Sequence, residues 1–304
     1  MTNYTTKSAV LFLVFNRPDT TEKVFRAIQN AKPAKLYLAC DGPRKNNVID
    51  QRNVKEVREL ILNGIDWECE VKNRFQSENL GCKNAVSSGI TWFFENEEEG
   101  IILEDDCLPS ESFFNFCDSL LEKYREDQRV SHIGGVNFLG HNLANNESYY
   151  FSRFTHVWGW ASWRRVWRDY DVHLTLLDKF LANNHLIDIF PDKRVTKYLS
   201  RELKRVQIGA LNTWDYQYLF LNLIKNGLCI IPAKNLVENI GFGVNATHEQ
   251  NDAIKTGKAH GISPVLVHPN FLVPETKYDI SSLLKINDLF LSAKIRTKIK
   301  TLFR

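Results

Sequence analysis

Residues 100–106 read Gly-Ile-Ile-Leu-Glu-Asp-Asp, a short apolar run that ends in three adjacent acids. Such a run is typical of a strand that is buried on both faces of a parallel sheet. Three carboxylates in a row repel one another unless a cation or hydrogen-bond donors lie near them. The stretch therefore predicts a central strand that opens into a charged site. The alternative is an acidic loop on the surface.

The chain before this strand alternates strand and helix patterns. Apolar runs predict strands at residues 8–15, 35–40 and 67–75, and helical patterns follow them near residues 19–28, 54–62 and 82–94. We expect Asp19 and Glu22 to cap the first helix. Strands that alternate with helices predict an α/β fold with a parallel, doubly wound sheet.

Polar or charged side chains follow all four predicted strands. They are Asn16 and Arg17, Asp41, Arg74, and the acids Glu104, Asp105 and Asp106. Ligands of open α/β sheets bind just beyond the carboxyl ends of the strands. One such residue alone would be ordinary in a solvated loop, but four strand ends at one edge predict a shared crevice.

The composition narrows the function. With 43% apolar and 25% charged residues in 304, the chain is typical of a soluble globular protein. The net charge of +3, without an arginine stripe interleaved with aromatic residues, gives no reason to expect nucleic acid as a partner. Six cysteines without a CxxC pair favour reduced thiols. The early apolar run at 9–15 is too short for a membrane span or a signal peptide, so we expect a cytoplasmic protein.

The ordered set of motifs is more specific than the acids alone. Three motifs follow one another along the chain: FNRPDTT at 15–21, CDGPR at 40–44, and the stretch 79–116, which begins with NLG and contains EDD before an FF-containing helix. Their order resembles that in the GT-A superfamily of nucleotide-sugar-dependent glycosyltransferases. They are particularly similar to N-acetylglucosaminyltransferase I and related bacterial enzymes. The resemblance covers about residues 8–120 well and the rest loosely. It implies a Rossmann-like GT-A fold, with a mostly parallel twisted sheet flanked by helices and an elaborated C-terminal half.

The resemblance also implies roles at the donor site. Asn16 and Arg17 would lie near the nucleoside, and Asp41 would accept a hydrogen bond from the base. Asp105 would face the ribose or the donor sugar, and Glu104 would belong to the same donor site. Asp106 would be the direct ligand of Mn²⁺ or Mg²⁺. Lys83 and Arg74 would approach the diphosphate, although Lys83 is equally well explained as a solvated surface lysine. Such a metal needs only one or two carboxylates, because phosphate oxygens fill other positions and the charge of the departing diphosphate is neutralised.

The second half of the chain begins with a helix pattern over 111–124, for which Ser110 is a candidate cap, and continues irregularly. Further helices are predicted at 193–205 and 215–225, and a strand at 228–232. The tryptophan-rich stretch 158–165 suits either a packed subdomain or a wall for sugar rings, because aromatic faces stack on sugars. On the second interpretation Trp158, Gly159, Trp160 and Trp214 contact the acceptor.

Asp215 is the candidate catalytic base. An inverting transferase needs a carboxylate that takes the proton of the acceptor hydroxyl, and a Trp-Asp segment at this place resembles the one in similar enzymes. A structural role in the first turn of the helix is the alternative. Asp169 and Asp171 are held in reserve as bases.

Two late segments complete the predictions. Residues 241–248 contain GxGxxA, but no strand-to-helix context supports a dinucleotide site, so we expect a loop over the donor in which His248 reaches the metal or diphosphate, or else faces solvent. Residues 281–304 carry six Lys or Arg against one Asp, with an apolar helical stripe. That pattern suits an interfacial helix on an anionic membrane, or a helix that docks on the protein.

These features predict a metal-dependent hexosyltransferase that moves a sugar, with inversion, from a UDP-linked donor to a saccharide or a lipid-linked saccharide. Surface polysaccharide or glycoconjugate biosynthesis is the expected setting. We divide the chain into a domain at 1–270, with a donor half (1–120) and an acceptor half (121–270), and a basic tail at 271–304. The alternatives are a sugar-nucleotide pyrophosphorylase, although residues 15–18 lack the glycines of its first loop, and a non-catalytic nucleotide-sugar binding module.

Overall fold

The computed structural model describes residues 4–140, 146–241 and 257–286. Its strands are β1 (Val10–Val14), β2 (Lys35–Cys40), β3 (Glu70–Phe75), β4 (Glu99–Glu104), β5 (Cys107–Pro109), β6 (Val130–Gly134), β7 (Tyr149–Ser152), β8 (Trp160–Trp163), β9 (Leu228–Pro232) and β10 (Val237–Asn239). Its helices are α1 (Pro18–Ala31), α2 (Val48–Gly64), α3 (Gly81–Asn96), α4 (Glu111–Lys123), α5 (Arg164–Trp167), α6 (Leu177–Ala182), α7 (His185–Ile189), α8 (Lys193–Gln207) and α9 (Asp215–Ile224).

One large sheet dominates the described structure, with the strand order β3-β2-β1-β4-β8-β6-β9-β7. The four strands predicted from the first 106 residues are parallel neighbours, and β6 pairs in parallel with β9. Strand β8 runs antiparallel between β4 and β6, and β7 runs antiparallel along β9. Strands β5 and β10 form a separate antiparallel pair. The protein thus has a mixed α/β fold with a large, mostly parallel central sheet flanked by helices, which confirms the predicted fold class.

The core lies on both faces of this sheet. Alternate residues of β1 face opposite sides, as the pleat requires. Val10 and Phe12 pack in a cluster with α1, α2 and α4, whereas Leu11 and Leu13 pack with α3 and α9. Because every residue of β1 is buried, the sequence of this strand is continuously apolar.

The starts of α1 and α2 differ from the prediction, whereas α4 begins at Glu111 as predicted. The predicted cap of α1 by Asp19 and Glu22 is wrong. The helix begins at Pro18, and the N-cap residue is Arg17, whose side chain makes no capping hydrogen bond. Ser110 precedes α4 but makes no capping hydrogen bond. Helix α2 begins at Val48 instead of near residue 54, because the Asn47 side chain accepts a hydrogen bond from the Asp50 amide.

The end of the described chain is tied to the sheet. Residues 276–286 are helical, and Asp279 accepts hydrogen bonds from the Ser152 hydroxyl and the Arg153 amide at the end of β7. Among the described residues no helix has the length and apolarity to cross a membrane. Most of the predicted interfacial segment 281–304 lies outside the described residues.

Candidate active site

A cleft of about 840 Å³ opens at the carboxyl ends of β1, β2, β3 and β4. It is lined by nine residues that the sequence predicted for the site: Arg17, Asp41, Arg74, Glu104, Asp105, Asp106, Trp158, Trp214 and Asp215. This edge is the one at which open α/β sheets bind their ligands, and the volume is that of a ligand pocket. The cleft is therefore the candidate active site.

Arg17 holds two of the strand-end acids side by side. Its Nη2 lies 3.1 Å from Oδ1 of Asp105, and its Nη1 lies 3.0 Å from Oδ2 of Asp106. The amide of Phe15 also donates to Oδ2 of Asp105, at 3.2 Å. Through these contacts the guanidinium spans the ends of β1 and β4.

Burial and mutual repulsion raise the pKa values of two of the acids at this edge. Burial, followed by the charges of Asp106, Asp105 and Asp215, raises the pKa of Glu104 well above its usual range. Burial also raises the pKa of Asp105 to about 6, even though Arg17 opposes the shift. The repulsion expected from three adjacent acids is thus present, and a bound cation would relieve it.

The donor set at this edge fits a metal bound by one carboxylate. In residues 4–140, 146–241 and 257–286, no three His, Cys, Asp or Glu side chains are grouped so that they could hold a metal ion by themselves. Asp106 has a partly exposed side chain at the cleft, and Mg²⁺ commonly takes one or two carboxylates together with water and phosphate oxygens. Asp106 with a diphosphate would satisfy that preference. His248, the other predicted ligand, lies outside the described residues.

The predicted loop at 241–248 begins at Gly241, which lies against Asp106. The Ile240 amide donates to the carbonyl of Asp106 at 2.8 Å, and a β-carbon at position 241 would collide with the side chains of Asp106 and Arg17. A residue without a side chain is needed here because the backbone approaches the acids so closely. The remainder of the segment 241–248 lies outside the described residues, so its role as a loop over the donor stays a prediction.

Asp41 is bound by four donors of its own chain. Its carboxylate accepts hydrogen bonds from the amides of Gly42, Leu80 and Gly81, and from the Asn79 side chain, at 2.8 to 3.1 Å. These contacts fix the turn that starts α3. Its predicted contact with a base stays a prediction, and it would replace one of these bonds.

Two residues that were predicted to bind the sugar donor, Asn16 and Lys83, do not line the cleft. Asn16 turns away, and its side-chain amide donates to Oδ1 of Asp50 at 2.7 Å. Lys83 lies in the first turn of α3, where its backbone amide donates to Asn212. Roles for these two side chains in donor binding stay predictions, and the geometry favours Arg74, which does line the cleft.

Asp215 reaches the cleft from the second half of the chain. It is the first residue of α9, after the N-cap residue Trp214, and its carboxylate accepts a hydrogen bond from the hydroxyl of Thr213. The charge of Asp215 helps to raise the pKa of Glu104. Burial, together with smaller contributions from Glu104 and Asp215, raises the pKa of Cys82 to about 12. Asp215 therefore faces the strand-end acids across the cleft.

The reserve bases lie elsewhere. Asp169 pairs with Lys225 at 2.9 Å, and Asp171 accepts hydrogen bonds from His173 and Thr175. Neither lines the cleft. Among the three aspartates, only Asp215 has the position of a base.

The tryptophan-rich stretch divides between cleft and core. Trp158 lines the cleft and packs against Phe138, with 5.2 Å between ring centroids. Trp160 is fully buried in β8, where it stacks with Trp214, so its predicted contact with the acceptor is corrected to a core position. Gly159 has φ of +65°, and a β-carbon there would lie 2.8 Å from Val237, which makes it a backbone requirement rather than a sugar contact.

One wall of the cleft was not predicted. Helix α8 contributes Tyr198, Arg201, Glu202 and Arg205. Their spacing of i, i+3, i+4 and i+7 puts them on one helical face, where the buried side of an amphipathic helix would ordinarily be apolar. Arg201 and Arg205 are partly exposed and lie beside the buried stripe of α8, in which Glu202 is the one charged residue. No local pattern therefore identifies this wall.

Comparisons with known proteins give low similarity. No protein-family model matches the chain, and no curated protein matches it. A UDP-glucose pyrophosphorylase complexed with UDP-glucose is 10% identical, with a TM-score of 0.37, over 77% of this chain and 93% of that one. A 4-diphosphocytidyl-2C-methyl-D-erythritol synthase from Anaerococcus prevotii is 10% identical, with a TM-score of 0.32, over 58% and 77% of the two chains. The inositol-1-phosphate CTP transferase from T. maritima is 9% identical, with a TM-score of 0.33, over 54% and 74%. At such low scores, a function has to be proposed from the residues of the cleft.

Proposed function

We propose that the cleft binds a nucleoside diphosphate sugar and transfers the sugar to an acceptor hydroxyl. The resemblance of the sequence motifs to GT-A glycosyltransferases favours a UDP-linked donor. The observation that carries the proposal is the meeting of two distant parts of the chain. The acids that follow β4 and the carboxylate of Asp215 at the start of α9 line one cleft. A donor site needs the first group, and a transfer reaction also needs a base such as the second.

The donor half would bind the diphosphate. Asp106, with donor phosphate oxygens, would hold Mn²⁺ or Mg²⁺, which neutralises charge on a departing diphosphate. Arg17 keeps Asp105 and Asp106 at fixed positions, and Arg74 supplies a further positive charge at the end of β3. In this arrangement the donor sugar would face Asp215.

The acceptor half would perform the proton transfer. Asp215 accepts the proton of the acceptor hydroxyl while that oxygen bonds to the anomeric carbon. The bond from the same carbon to the diphosphate breaks, and the electron pair leaves with the nucleoside diphosphate. One displacement inverts the anomeric configuration. NMR detection of a product with the donor's anomeric configuration would contradict this mechanism.

Nucleotide binding tests the donor half. We expect UDP with Mn²⁺ to raise the melting temperature of the protein, because a ligand that binds only the folded state stabilises it. GDP, dTDP and CMP serve as comparisons, each with and without Mn²⁺. Asp106→Ala should abolish the Mn²⁺-dependent part of the shift. If no nucleotide raises the melting temperature, or if Asp106→Ala keeps the full metal-dependent shift, the proposed donor site is wrong.

A sugar-nucleotide pyrophosphorylase is the second candidate. Such enzymes carry an arginine in the loop after the first strand, and Arg17 stands at that position. In this chain the arginine is committed to Asp105 and Asp106, and the loop lacks glycines. The products distinguish the two functions. A transferase releases UDP from a UDP-sugar, whereas a pyrophosphorylase releases pyrophosphate from UTP and a sugar 1-phosphate.

We further propose that the acceptor is a saccharide or lipid-linked saccharide of surface polysaccharide or glycoconjugate biosynthesis, reached by a peripheral enzyme on the inner face of the cell membrane. The support is the basic, amphipathic sequence of 281–304. Ile286, near the start of this segment, lines the cleft. We expect the protein to sediment with phosphatidylglycerol vesicles but not with phosphatidylcholine vesicles. Equal recovery in the supernatant with both would contradict it.

A further inference from the structure

Helix α8 forms a cationic wall on the acceptor side of the cleft. Arg201 and Arg205 lie one turn apart, and both line the cleft that contains Asp215. At 1.5 Å rise per residue, their positions are separated by about 6 Å along the helix axis. The two guanidinium groups therefore face the same part of the cleft.

A buried carboxylate holds the two arginines. Glu202 is only 5% exposed, and its oxygens accept hydrogen bonds from Nε of Arg201 and Nη1 of Arg205, both at 2.6 Å. Arg201 is also placed over the ring of Tyr198, at 5.5 Å. One cation would suffice to neutralise Glu202, so the second leaves the group with a net positive charge.

Both arginines keep hydrogen-bond donors for a ligand. Within the described part of the chain, Arg201 donates to Glu202 through Nε and Arg205 donates through Nη1. The other nitrogens of each guanidinium make no further hydrogen bond within these described residues. Paired N–H groups of this kind match the oxygens of a carboxylate or a phosphate.

The cationic wall lies close to the proposed base. The Tyr198 hydroxyl on α8 is 2.8 Å from the hydroxyl of Tyr216, the residue after Asp215. Burial raises the pKa of Tyr198 to about 12, with contributions from Glu202 and Asp215, so both carboxylates lie near this phenol. A ligand whose hydroxyl reaches Asp215 would therefore have a neighbouring substituent within reach of the arginines.

We infer that the acceptor sugar carries an anionic substituent, which Arg201 and Arg205 bind while Asp215 receives the proton of the attacked hydroxyl. The inference rests on the proposed function, because only a transfer site has an acceptor side. Asp105, Asp106 and Asp215 would repel an anionic acceptor, and the cationic wall offsets that repulsion. The substituent is the carboxylate of an acidic sugar or a phosphate, as in a phosphorylated or lipid-linked saccharide.

Three probes test the inference by isothermal titration calorimetry of the full chain with UDP and Mn²⁺ present, so that phosphate cannot enter the donor half. Methyl glucoside is neutral, methyl glucuronide carries a carboxylate, and glucose 1-phosphate carries a phosphate. We expect one or both charged probes to bind at least about tenfold more tightly than methyl glucoside, as charge-assisted hydrogen bonds imply. Which of them binds identifies the source of the charge.

Variants connect this preference to the wall. Arg201→Gln with Arg205→Gln should reduce binding of the charged probe to the level of methyl glucoside. Arg205→Gln alone keeps the pair between Arg201 and Glu202, and it should give an intermediate loss in a folded protein. Lys197→Gln is the matched control, because it removes a positive charge from an exposed position of α8 outside the cleft.

Two outcomes overturn the inference: neither charged probe binds better than methyl glucoside, or the preference survives in the arginine variants. UDP binding, measured by the melting temperature, separates this result from the proposed function. A protein that binds UDP but shows no preference for anionic probes loses only the cationic acceptor site. A protein that fails to bind UDP loses the proposed donor site, whatever the probes show.

Discussion

At the scale of single residues, two tryptophans separated by one glycine have different positions and should have different effects. Trp160 is fully buried and stacks with Trp214, whereas Trp158 lines the cleft. We expect Trp160→Ala to lower the free energy of unfolding by about 3–5 kcal/mol, as loss of a buried aromatic side chain does. Urea denaturation measures this.

Trp158→Ala provides the comparison. We expect it to cost less stability than Trp160→Ala and to reduce sugar transfer, because this ring is the one that a sugar can touch. If Trp160→Ala is as stable as the unaltered protein, or if Trp158→Ala turns over normally, the division between core and cleft is wrong. The sequence predicted that these tryptophans form either a packed subdomain or a sugar wall. Trp160 lies in β8, where all four residues are buried, whereas Trp158 precedes the strand, and β8 was not predicted.

The contact of Arg17 with the acids shows how far residue patterns reach. The sequence placed Arg17 and Glu104, Asp105 and Asp106 at one edge, because parallel strands end together. It did not predict that the guanidinium bridges Asp105 and Asp106. That contact depends on the direction in which α1 leaves β1, and side-chain direction at a helix start is a tertiary property.

At the scale of elements, the helical residues 276–286 are tied to β7 by a buried carboxylate. Burial raises the pKa of Asp279 to about 7, although Ser152 and Arg153 donate hydrogen bonds to it. A raised pKa means that the folded state binds the proton more tightly than the unfolded state does. The resulting stabilisation is complete below about pH 4 and is lost as the pH rises through 7.

We therefore expect the free energy of unfolding of the unaltered protein to fall, relative to that of Asp279→Asn, between pH 4 and 7. The fall is on the order of 4 kcal/mol, because each pKa unit corresponds to about 1.4 kcal/mol. Asparagine keeps an acceptor for the Arg153 amide but does not titrate. Parallel pH profiles of urea unfolding for the two proteins would contradict the assignment.

Elements with strong local patterns were predictable, and those formed by distant pairing were not. Strands β2 and β9 have the predicted bounds, because their apolar runs are continuous and sharply ended. Strands β5 and β10 are three residues each and form only by pairing across more than 120 residues, so no local pattern marks them. Strand β8 is an aromatic-rich run of four residues that enters the sheet between β4 and β6. Its place depends on the whole sheet.

At the scale of the whole molecule, the cleft is built by both halves of the chain. The first half contributes four parallel strand ends with their acids, and the second contributes α8 and α9 with Arg201, Arg205 and Asp215. That Arg17, Asp41, Arg74 and the three acids meet at one edge could be predicted from the sequence, because they follow recognisable strands. The sequence did not predict that Asn16 and Lys83 lie outside the cleft, and the binding of a donor stays a proposal. The cationic wall of α8 could not, because only the packing of α8 beside α9 turns its charged residues toward the cleft.

The proposed reaction depends most on Asp215, because it alone among the candidate bases lines the cleft. The most direct test is the rate of UDP release from UDP-glucose, UDP-galactose and UDP-N-acetylglucosamine, with Mn²⁺ and with water as acceptor, for the unaltered protein, Asp215→Asn and Asp169→Asn. We expect the unaltered protein to release UDP from at least one donor. Asp215→Asn should slow this release at least about 100-fold, as removal of a general base does. Asp169→Asn should leave the rate unchanged, because its carboxylate lies outside the cleft. UDP should still raise the melting temperature of Asp215→Asn. Unchanged release in Asp215→Asn would contradict the account.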